Sequence, residues 1–200
     1  MSKNYNKPES HLKNIIIIGD SFAVDGGNDS WITKLSQNNT IKNFSQRGIS
    51  QYRLFNHVVD NLEEIAKADN VIIFHTNMDR IFVPDHVVFQ SRQLNTHTQM
   101  DMVANDAFQD KDWKHIAGVY YKYFYDQDQQ NCVYQLLIEK IDKLIPVNKI
   151  HCSGFDINLR FESLSIKSFA QLRTAHPGNI NHLNSNGNQI VYNYLEKLIQ

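Results

Sequence analysis

The sequence lacks the features that mark disulfide-stabilised, secreted and membrane-spanning proteins. Its 200 residues include only two cysteines, Cys132 and Cys152, which are too few for a disulfide scaffold. We expect both to be free thiols, although the sequence leaves a single bridge open. No apolar run approaches the roughly 20 residues that span a bilayer, and residues 1–13 lack the apolar core of a signal peptide. These absences predict a soluble, cytoplasmic protein.

An excess of one charge and the common metal and phosphate motifs are also lacking. With 20 basic and 21 acidic residues the net charge is -1, so no basic surface for nucleic acid is expected. The nine histidines show neither His-x-His nor His-Glu-x-x-His spacing, which argues against a metal site. Neither Gly-x-Gly-x-x-Gly nor Gly-Lys-Ser/Thr occurs, so a phosphate-binding loop of these types is excluded. We predict no cofactor.

Four consecutive isoleucines at residues 15–18 are the clearest structural signal that is present. An unbroken β-branched run is typical of a strand that is covered on both faces, as in a parallel sheet between helices. Gly19, Asp20 and Ser21 follow it directly, and ligands bind beyond the carboxyl ends of such strands. Ser21 is therefore either a nucleophile or the cap of a turn, whereas Asp20 is expected to organise that turn.

Strand and helix patterns alternate along most of the chain. Strands are predicted at residues 14–18, 41–44, 71–74 and 149–152. Helices are predicted after the N-caps Ser30 and Ser50, and the second of these is expected to reach about residue 68. Further helices are predicted between residues 113 and 144, with a break near 126–130, and after Asn184 or Ser185. This alternation predicts an α/β protein, a three-layer sandwich with a mostly parallel sheet flanked by helices, as in flavodoxin-like folds.

The expected domain organisation is simple. Residues 1–12 are predicted to be a flexible lead-in, and residues 13–200 a single domain. Residues 81–112 have no clean period and are rich in polar side chains, so we interpret them as an insertion or lid, with a short helix left open.

Four side chains or backbone groups lie at the ends of predicted elements and together offer a reaction site, three of them after strands and one before the last helix. They are Ser21, Gly48, Asn77 and His182. A serine hydroxyl needs a base to become a nucleophile at neutral pH, and a tetrahedral oxyanion needs fixed donors. Serine, histidine, a backbone N–H and an asparagine amide meet both requirements.

These residues lie in four short motifs whose order resembles that of the SGNH (GDSL-like) hydrolases. The motifs are Gly19-Asp20-Ser21, Arg47-Gly48-Ile49-Ser50, His75-Thr76-Asn77-Met78, and Asn179-Ile180-Asn181-His182 with Gly187 after it. Together they span residues 15–199. The resemblance implies an SGNH-hydrolase-like fold and a serine esterase without a cofactor.

The resemblance also implies a role for each motif residue. Ser21 would be the nucleophile, and His182 the general base and then acid. The oxyanion hole would consist of the Ser21 and Gly48 N–H groups and the Asn77 amide. The substrate would be a carboxylic ester, such as an O-acyl group on a carbohydrate or a lipid.

Three departures from the family pattern bear on this expectation. His75 replaces the glycine of the third motif, which predicts a narrowed or reshaped substrate pocket, and Met78 replaces its aspartate. Asn179 replaces the aspartate that orients the base, and in serine proteases that exchange costs about 10⁴ in turnover. The alternative is therefore a weak or inactive SGNH-like module that binds a glycan or a partner protein.

Two further residues have competing interpretations. His176 is a rival base, but it lacks the glycine and helix that follow His182. Arg80, which comes just after the third predicted strand, is either a binding residue for an anionic group of the substrate or a structural arginine. The sequence does not predict the oligomeric state.

Overall fold

A computed structural model describes most of the chain. The described residues are 12–24, 27–83, 87–91, 96–103, 111–160, 164–178 and 182–199. The predicted lead-in therefore lies outside the described residues, apart from Leu12. Asn179 lies outside them as well.

The described residues form seven strands, seven α-helices and a short 3₁₀ turn at Ser21–Ala23. The strands are β1 (Lys13–Gly19), β2 (Asn39–Asn43), β3 (Asn70–His75), β4 (Val87–Ser91), β5 (Thr96–Met100), β6 (Asn148–Ser153) and β7 (Lys167–Ser168). The helices are α1 (Trp31–Ser36), α2 (Gln51–Asp60), α3 (Leu62–Ile65), α4 (Lys111–Tyr123), α5 (Gln127–Leu144), α6 (Ala170–Ala175) and α7 (Ser185–Leu198). None of these helices is both long and apolar enough to cross a membrane.

The main sheet has five parallel strands in the order β2-β1-β3-β6-β7. The predicted parallel sheet with an interior first strand is thus confirmed. If only the five strands of this sheet are numbered, in the order in which they occur in the chain, their order across the sheet is 2-1-3-4-5. This is the flavodoxin-like order. In this order the sheet changes its direction of growth between β1 and β3, and ligands bind in the crevice at that point.

Alternating side chains of β1 enter two separate hydrophobic cores. Ile15 and Ile17 pack on the face that α1 and α7 cover. Ile16 and Ile18 pack on the opposite face, against α2 and α5. All four are at most 4% exposed, and burying each isoleucine stabilises the fold by about 1.5–3 kcal/mol. The three-layer architecture therefore buries every residue of the unbroken apolar run.

The predicted helix starts are confirmed by side-chain caps. The Ser30 and Ser50 hydroxyls accept from the N–H groups of Thr33 and Arg53. At the last helix the cap is Asn184 and not Ser185. A buried helix end needs such partners because its first N–H groups have none within the helix.

The structure differs from the sequence-based elements in three places. The helix predicted to run from residue 51 to about 68 is divided at Asn61, whose side chain donates to the His57 carbonyl at 2.7 Å and so competes with the helical pattern. The described part of the insertion forms an antiparallel hairpin, β4 and β5, and its helical residues are Lys111 and Asp112, with which α4 begins. β7 was not predicted, since two residues carry no periodic signal.

Both cysteines are free.

Candidate active site

The candidate site lies at the carboxyl ends of β1 and β3, where the sheet changes direction. Ser21 begins the 3₁₀ turn that follows β1, and Asn77 is the second residue after β3. The two strands are hydrogen-bonded neighbours, with Gly19 opposite Phe74. The topology therefore brings the first and third sequence motifs to the same edge.

The turn that carries Ser21 is held by close packing and by Asp20. A Cβ at Gly19 would lie only 2.6 Å from the Phe74 Cβ, so glycine is required here by the approach of β3. The Asp20 carboxylate accepts from the Phe22 N–H at 2.9 Å and caps the 3₁₀ turn. Ser21 itself is only partly buried, so its hydroxyl is placed on a fixed turn at the surface of the crevice.

Asp20 is buried, and its hydrogen-bond partners among the described residues are neutral. Burial raises the pKa of its carboxyl to about 7, although the Phe22 N–H, the charge of Arg80 and the Thr76 side chain act in the opposite direction. The carboxyl can therefore carry a proton near neutral pH. The predicted structural role for Asp20 in the turn agrees with its cap of the 3₁₀ turn.

The loop after β3 is fixed by donors from α5 and from the end of α4. Three carbonyls and one carboxylate of the loop accept hydrogen bonds from these donors. The pairs are Tyr134 to the Thr76 carbonyl (2.6 Å), Gln130 to the Met78 carbonyl (3.0 Å), Tyr121 to the Asp79 carbonyl, and Tyr125 to the Asp79 carboxylate (2.6 Å). The loop that presents Asn77 is thus anchored on both sides of that residue.

The Asn77 side chain has a defined orientation. Its Oδ1 accepts from the Asp79 N–H at 2.9 Å, which forms a local Asx turn. The carbonyl end of the amide therefore faces its own loop, and the Nδ2 donor points away from it. Such a donor is what an oxyanion hole requires.

Gly48 has a left-handed backbone and a close neighbour. Its φ is 68°, and a Cβ at this position would lie 2.6 Å from the Met100 Cγ. The Gly48 carbonyl accepts from the Asp101 N–H at 2.8 Å. Both conformation and packing therefore require glycine, and the end of the hairpin covers the residue.

A buried ion pair fixes the start of α2 beside Gly48. The Asp101 carboxylate is fully buried and accepts from Arg53 at 2.7 and 3.0 Å and from the Ser50 N–H at 2.7 Å. Burial alone would raise the pKa of Asp101, but these donors bring it below its ordinary value. The insertion is therefore anchored to α2 by a bidentate, charge-assisted contact with Arg53, and to the second motif by the Ser50 N–H.

His182 lies against the residue that follows Ser21. Its ring stacks on Phe22 with the centroids 5.4 Å apart. Among the described residues, no hydrogen bond joins the Ser21 hydroxyl to the His182 ring. Burial lowers the pKa of His182, and the positive charge of Arg47 lowers it further. His182 is therefore close to the serine turn and neutral at neutral pH.

The loop around His182 is closed by backbone contacts. The Gly178 N–H donates to the His182 carbonyl at 2.7 Å, and Pro177 and Leu183 form an isolated bridge. His176 lies at the end of α6, where its carbonyl accepts from the Asn184 N–H at 3.0 Å. The predicted orienting role of Asn179 stays a prediction, since that residue is outside the described residues.

His75 lies in the interior and not at the surface of the crevice. Its ring is fully buried, with Nδ1 2.9 Å from Gln51 Nε2 and Nε2 2.9 Å from His151 Nδ1. The expected narrowing of a substrate pocket by this ring therefore has no support in its position. Arg80 donates to the Asp101 carbonyl at 2.7 Å, and its role in binding an anionic group stays a prediction.

Comparisons with known proteins and a search for metal ligands add no assignment. No protein-family model matches the chain, and no curated protein sequence matches it. Within the described residues, no three His, Cys, Asp or Glu side chains are arranged to hold a metal ion.

Several residues that shape the site were not predicted from the sequence. Asp101 lies in a polar segment without periodicity, so nothing marked it as the partner of Arg53. Tyr121 and Tyr125 are four residues apart, which is a helical spacing, but an aromatic pair at that spacing usually indicates core packing. Only the hydroxyl groups, which need partners when buried, could have suggested their contacts with the Asp79 loop.

Proposed function

We propose that this protein is a serine ester hydrolase of the SGNH type, with Ser21 as the nucleophile and His182 as the base. The observation that carries the proposal is the meeting of three motifs at the β1/β3 crevice. Ser21 and Asn77 follow neighbouring strands, and His182 stacks on Phe22.

The proposed reaction uses only groups of the chain and water. Ser21 Oγ attacks the ester carbonyl carbon while its proton passes to His182. The oxyanion accepts from the N–H groups of Ser21 and Gly48 and from Asn77 Nδ2. His182 then protonates the departing alcohol, and water hydrolyses the acyl-enzyme by the reverse sequence.

The electrostatics of His182 support this role. A general base must be unprotonated at the working pH, and burial together with Arg47 lowers the pKa of His182. The same environment opposes formation of the imidazolium in the transition state. If Asn179 is the orienting residue, a neutral amide compensates that charge less than the family's aspartate would. The proposal therefore includes slow turnover.

The substrate of the proposed reaction is a carboxylic ester, with an O-acyl carbohydrate or lipid as the candidates. Arg80, whose charge acts on Asp20 at the serine turn, is the proposed contact for an anionic group of such a substrate.

A second candidate is a non-catalytic SGNH-like module that binds a glycan or a partner protein. The observation that favours it is the packing of Met100 on the buried Gly48. In this second candidate, Met100 blocks the approach of an oxyanion to the Gly48 N–H. Replacing Met100 by alanine would open this access and leave Ser21 and His182 untouched.

Hydrolysis of an aryl acetate tests the two candidates. The esterase proposal predicts activity that is lost in Ser21→Ala and His182→Ala, falls about 10²–10³-fold in Asn77→Ala and is unaffected by chelator. His176→Ala is the matched control and should retain activity. Activity that survives Ser21→Ala would contradict the proposal. Inactivity of the wild type and of Met100→Ala would favour the binding module.

Asn179→Asp tests the orienting residue separately. A carboxylate partner stabilises the imidazolium, so turnover should rise and the acidic limb of the pH–rate profile should move to higher pH. An unchanged rate and profile would show that Asn179 does not orient His182.

A further inference from the structure

A row of hydrogen-bonded polar side chains crosses the interior behind the candidate site. It joins Gln51 on α2, His75 on β3, His151 on β6 and Asp142 on α5. The three contacts are Gln51 Nε2 to His75 Nδ1 (2.9 Å), His75 Nε2 to His151 Nδ1 (2.9 Å), and His151 Nε2 to Asp142 Oδ1 (3.3 Å). The two imidazole rings lie nearly parallel, at 4° to each other.

The direction of every hydrogen bond in the row follows from its two ends. An amide nitrogen can only donate, so Gln51 donates to His75 Nδ1. His75 must then carry its single proton on Nε2 and donate to His151. His151 likewise donates from Nε2 to the Asp142 carboxylate. Both histidines are therefore neutral Nε2–H tautomers.

The charges around the row favour this neutral state. Burial lowers the pKa of both histidines, and the charge of His151 lowers the pKa of His75 further. The charged groups that act on His151 are Asp142, which raises its pKa, and Lys149, which lowers it. Lys149 Nζ is also 3.2 Å from Asp142 Oδ1. His151 is thus the ring that has a carboxylate beside it.

One atom of the row is left without a partner. Gln51 Oε1 is buried and accepts no hydrogen bond from the described residues. If the Gln51 amide rotated by 180°, this oxygen would face His75 Nδ1. It could then accept a hydrogen bond from that nitrogen, provided that the nitrogen carries a proton. The row therefore has a second self-consistent arrangement, in which the two hydrogen bonds of His75 are reversed and His151 still donates to Asp142.

We propose that Gln51, His75, His151 and Asp142 form a reversible proton relay, in which uptake of one proton reverses both hydrogen bonds of His75 and flips the Gln51 amide. In the reversed state His151 carries protons on both nitrogens and is paired with the Asp142 carboxylate. It donates from Nδ1 to His75 Nε2, and His75 donates from Nδ1 to Gln51 Oε1. The two rings then hold three protons where they held two, and His75 stays neutral.

The relay links a partly exposed carboxylate to the first turn of α2. Asp142 has 27% of its side chain exposed, whereas Gln51 is the first residue of α2, directly after the cap Ser50. Because the neutral state is favoured by burial, reversal should occur only below the ordinary histidine pKa of 6.5. The proposal does not depend on hydrolytic activity.

Nitrogen NMR of the full-length, ¹⁵N-histidine-labelled protein tests the relay. At pH 8 His75 and His151 should be Nε2–H tautomers. His57 is an internal control, because its Nδ1 faces the Phe44 carbonyl at 3.2 Å and must carry a proton. On acidification His151 should become doubly protonated while His75 changes to the Nδ1–H tautomer at the same midpoint.

Three results would overturn the relay. His75 could keep its Nε2 proton while His151 becomes charged, His75 could itself become the imidazolium, or neither ring could titrate before the protein unfolds. Each would show that the row does not reverse as a unit.

Two variants sharpen the test. Asp142→Asn removes the carboxylate that compensates His151, so the midpoint of reversal should move to lower pH, and an unchanged midpoint would contradict the proposal. Gln51→Glu replaces the donor by a permanent acceptor, so His75 should be an Nδ1–H tautomer already at pH 8. Retention of the Nε2–H tautomer in that folded variant would also contradict it.

Discussion

Two aspartates are buried beside the candidate site, and their pKa values are shifted in opposite directions. Asp20 at the serine turn is 2% exposed and Asp101 at the start of α2 is 0% exposed. The pKa of Asp20 is raised to about 7, whereas the pKa of Asp101 is lowered. Burial is therefore not what distinguishes them.

The difference lies in their partners. Asp101 receives two charge-assisted bonds from Arg53, with further bonds from the Ser50 and Val83 N–H groups. Asp20 accepts from neutral donors, the Phe22 N–H and the Thr76 side chain, and the charge of Arg80 acts on it as well. A buried carboxylate stays ionised when a cation and several donors replace its water.

The largest expected effect comes from removing the ionised partner. Asp101→Ala leaves the Arg53 guanidinium, whose side chain is 13% exposed, without its counter-charge. Breaking a buried pair in this way costs about 3–5 kcal/mol, to be measured as the free energy of unfolding in urea. The double variant Arg53→Met, Asp101→Leu should recover part of the loss, because no charge is then stranded. A loss below about 1 kcal/mol in Asp101→Ala would place this pair among weak surface pairs.

The next-largest effect concerns Asp20, whose carboxyl has neutral hydrogen-bond partners among the described residues. Folded Asp20 keeps its proton up to about pH 7, whereas the unfolded chain ionises from about 3.8. Between these values the folded state binds more protons, so this carboxyl lowers stability as pH rises. Asp20→Asn keeps the acceptor for Phe22 and does not titrate. Its stability relative to wild type should rise from pH 4 to pH 8, by up to about 4 kcal/mol; no change with pH would refute the shift.

Part of the fold and of the candidate site can be predicted from the sequence alone. The β1 strand and its interior position could be predicted from residues 15–18, because only a doubly covered strand accommodates four isoleucines. Ser30 and Ser50 could be predicted as caps from their chemistry and from the helical pattern after them. Ser21 and Asn77 could be placed at one edge, since the carboxyl ends of parallel strands coincide.

Long-range partners could not be predicted in the same way. Asp101 and Arg53 are 48 residues apart in the chain, and the hairpin that brings them together has no distinctive turn signal. His75 shows the same limit. Its side chain turns inward because His151 and Gln51 supply polar partners, and no local pattern contains that information.

A smaller effect is expected from Arg47, an exposed cation whose charge acts on His182. Arg47 is exposed and its charge lowers the pKa of His182, so Arg47→Gln should raise that pKa. Because the charge faces solvent, salt should screen the wild-type effect, unlike the contact between Arg53 and Asp101. NMR titration of His182 at low and high salt measures both. A pKa that responds neither to the variant nor to salt would exclude an influence of Arg47.

The smallest effect is expected at Glu64, a partly exposed acid that pairs with two lysines. Glu64 lies 3.0 Å from Lys42 and 2.9 Å from Lys67, and these lysines lower its pKa to about 2. Glu64→Gln should nevertheless leave the free energy of unfolding unchanged within error, because water already solvates the exposed ions. A loss comparable to that of Asp101→Ala would show that pairing matters more than burial.

The central claim is that Ser21 is an activated nucleophile, and a fluorophosphonate probe tests it most directly. The probe forms a covalent bond with a serine that a base has activated, whatever the natural ester is. We predict that mass spectrometry will find the wild type labelled at Ser21, with labelling absent in Ser21→Ala, strongly reduced in His182→Ala and retained in His176→Ala. A folded wild-type protein that is not labelled, or is labelled equally in Ser21→Ala, would contradict the claim.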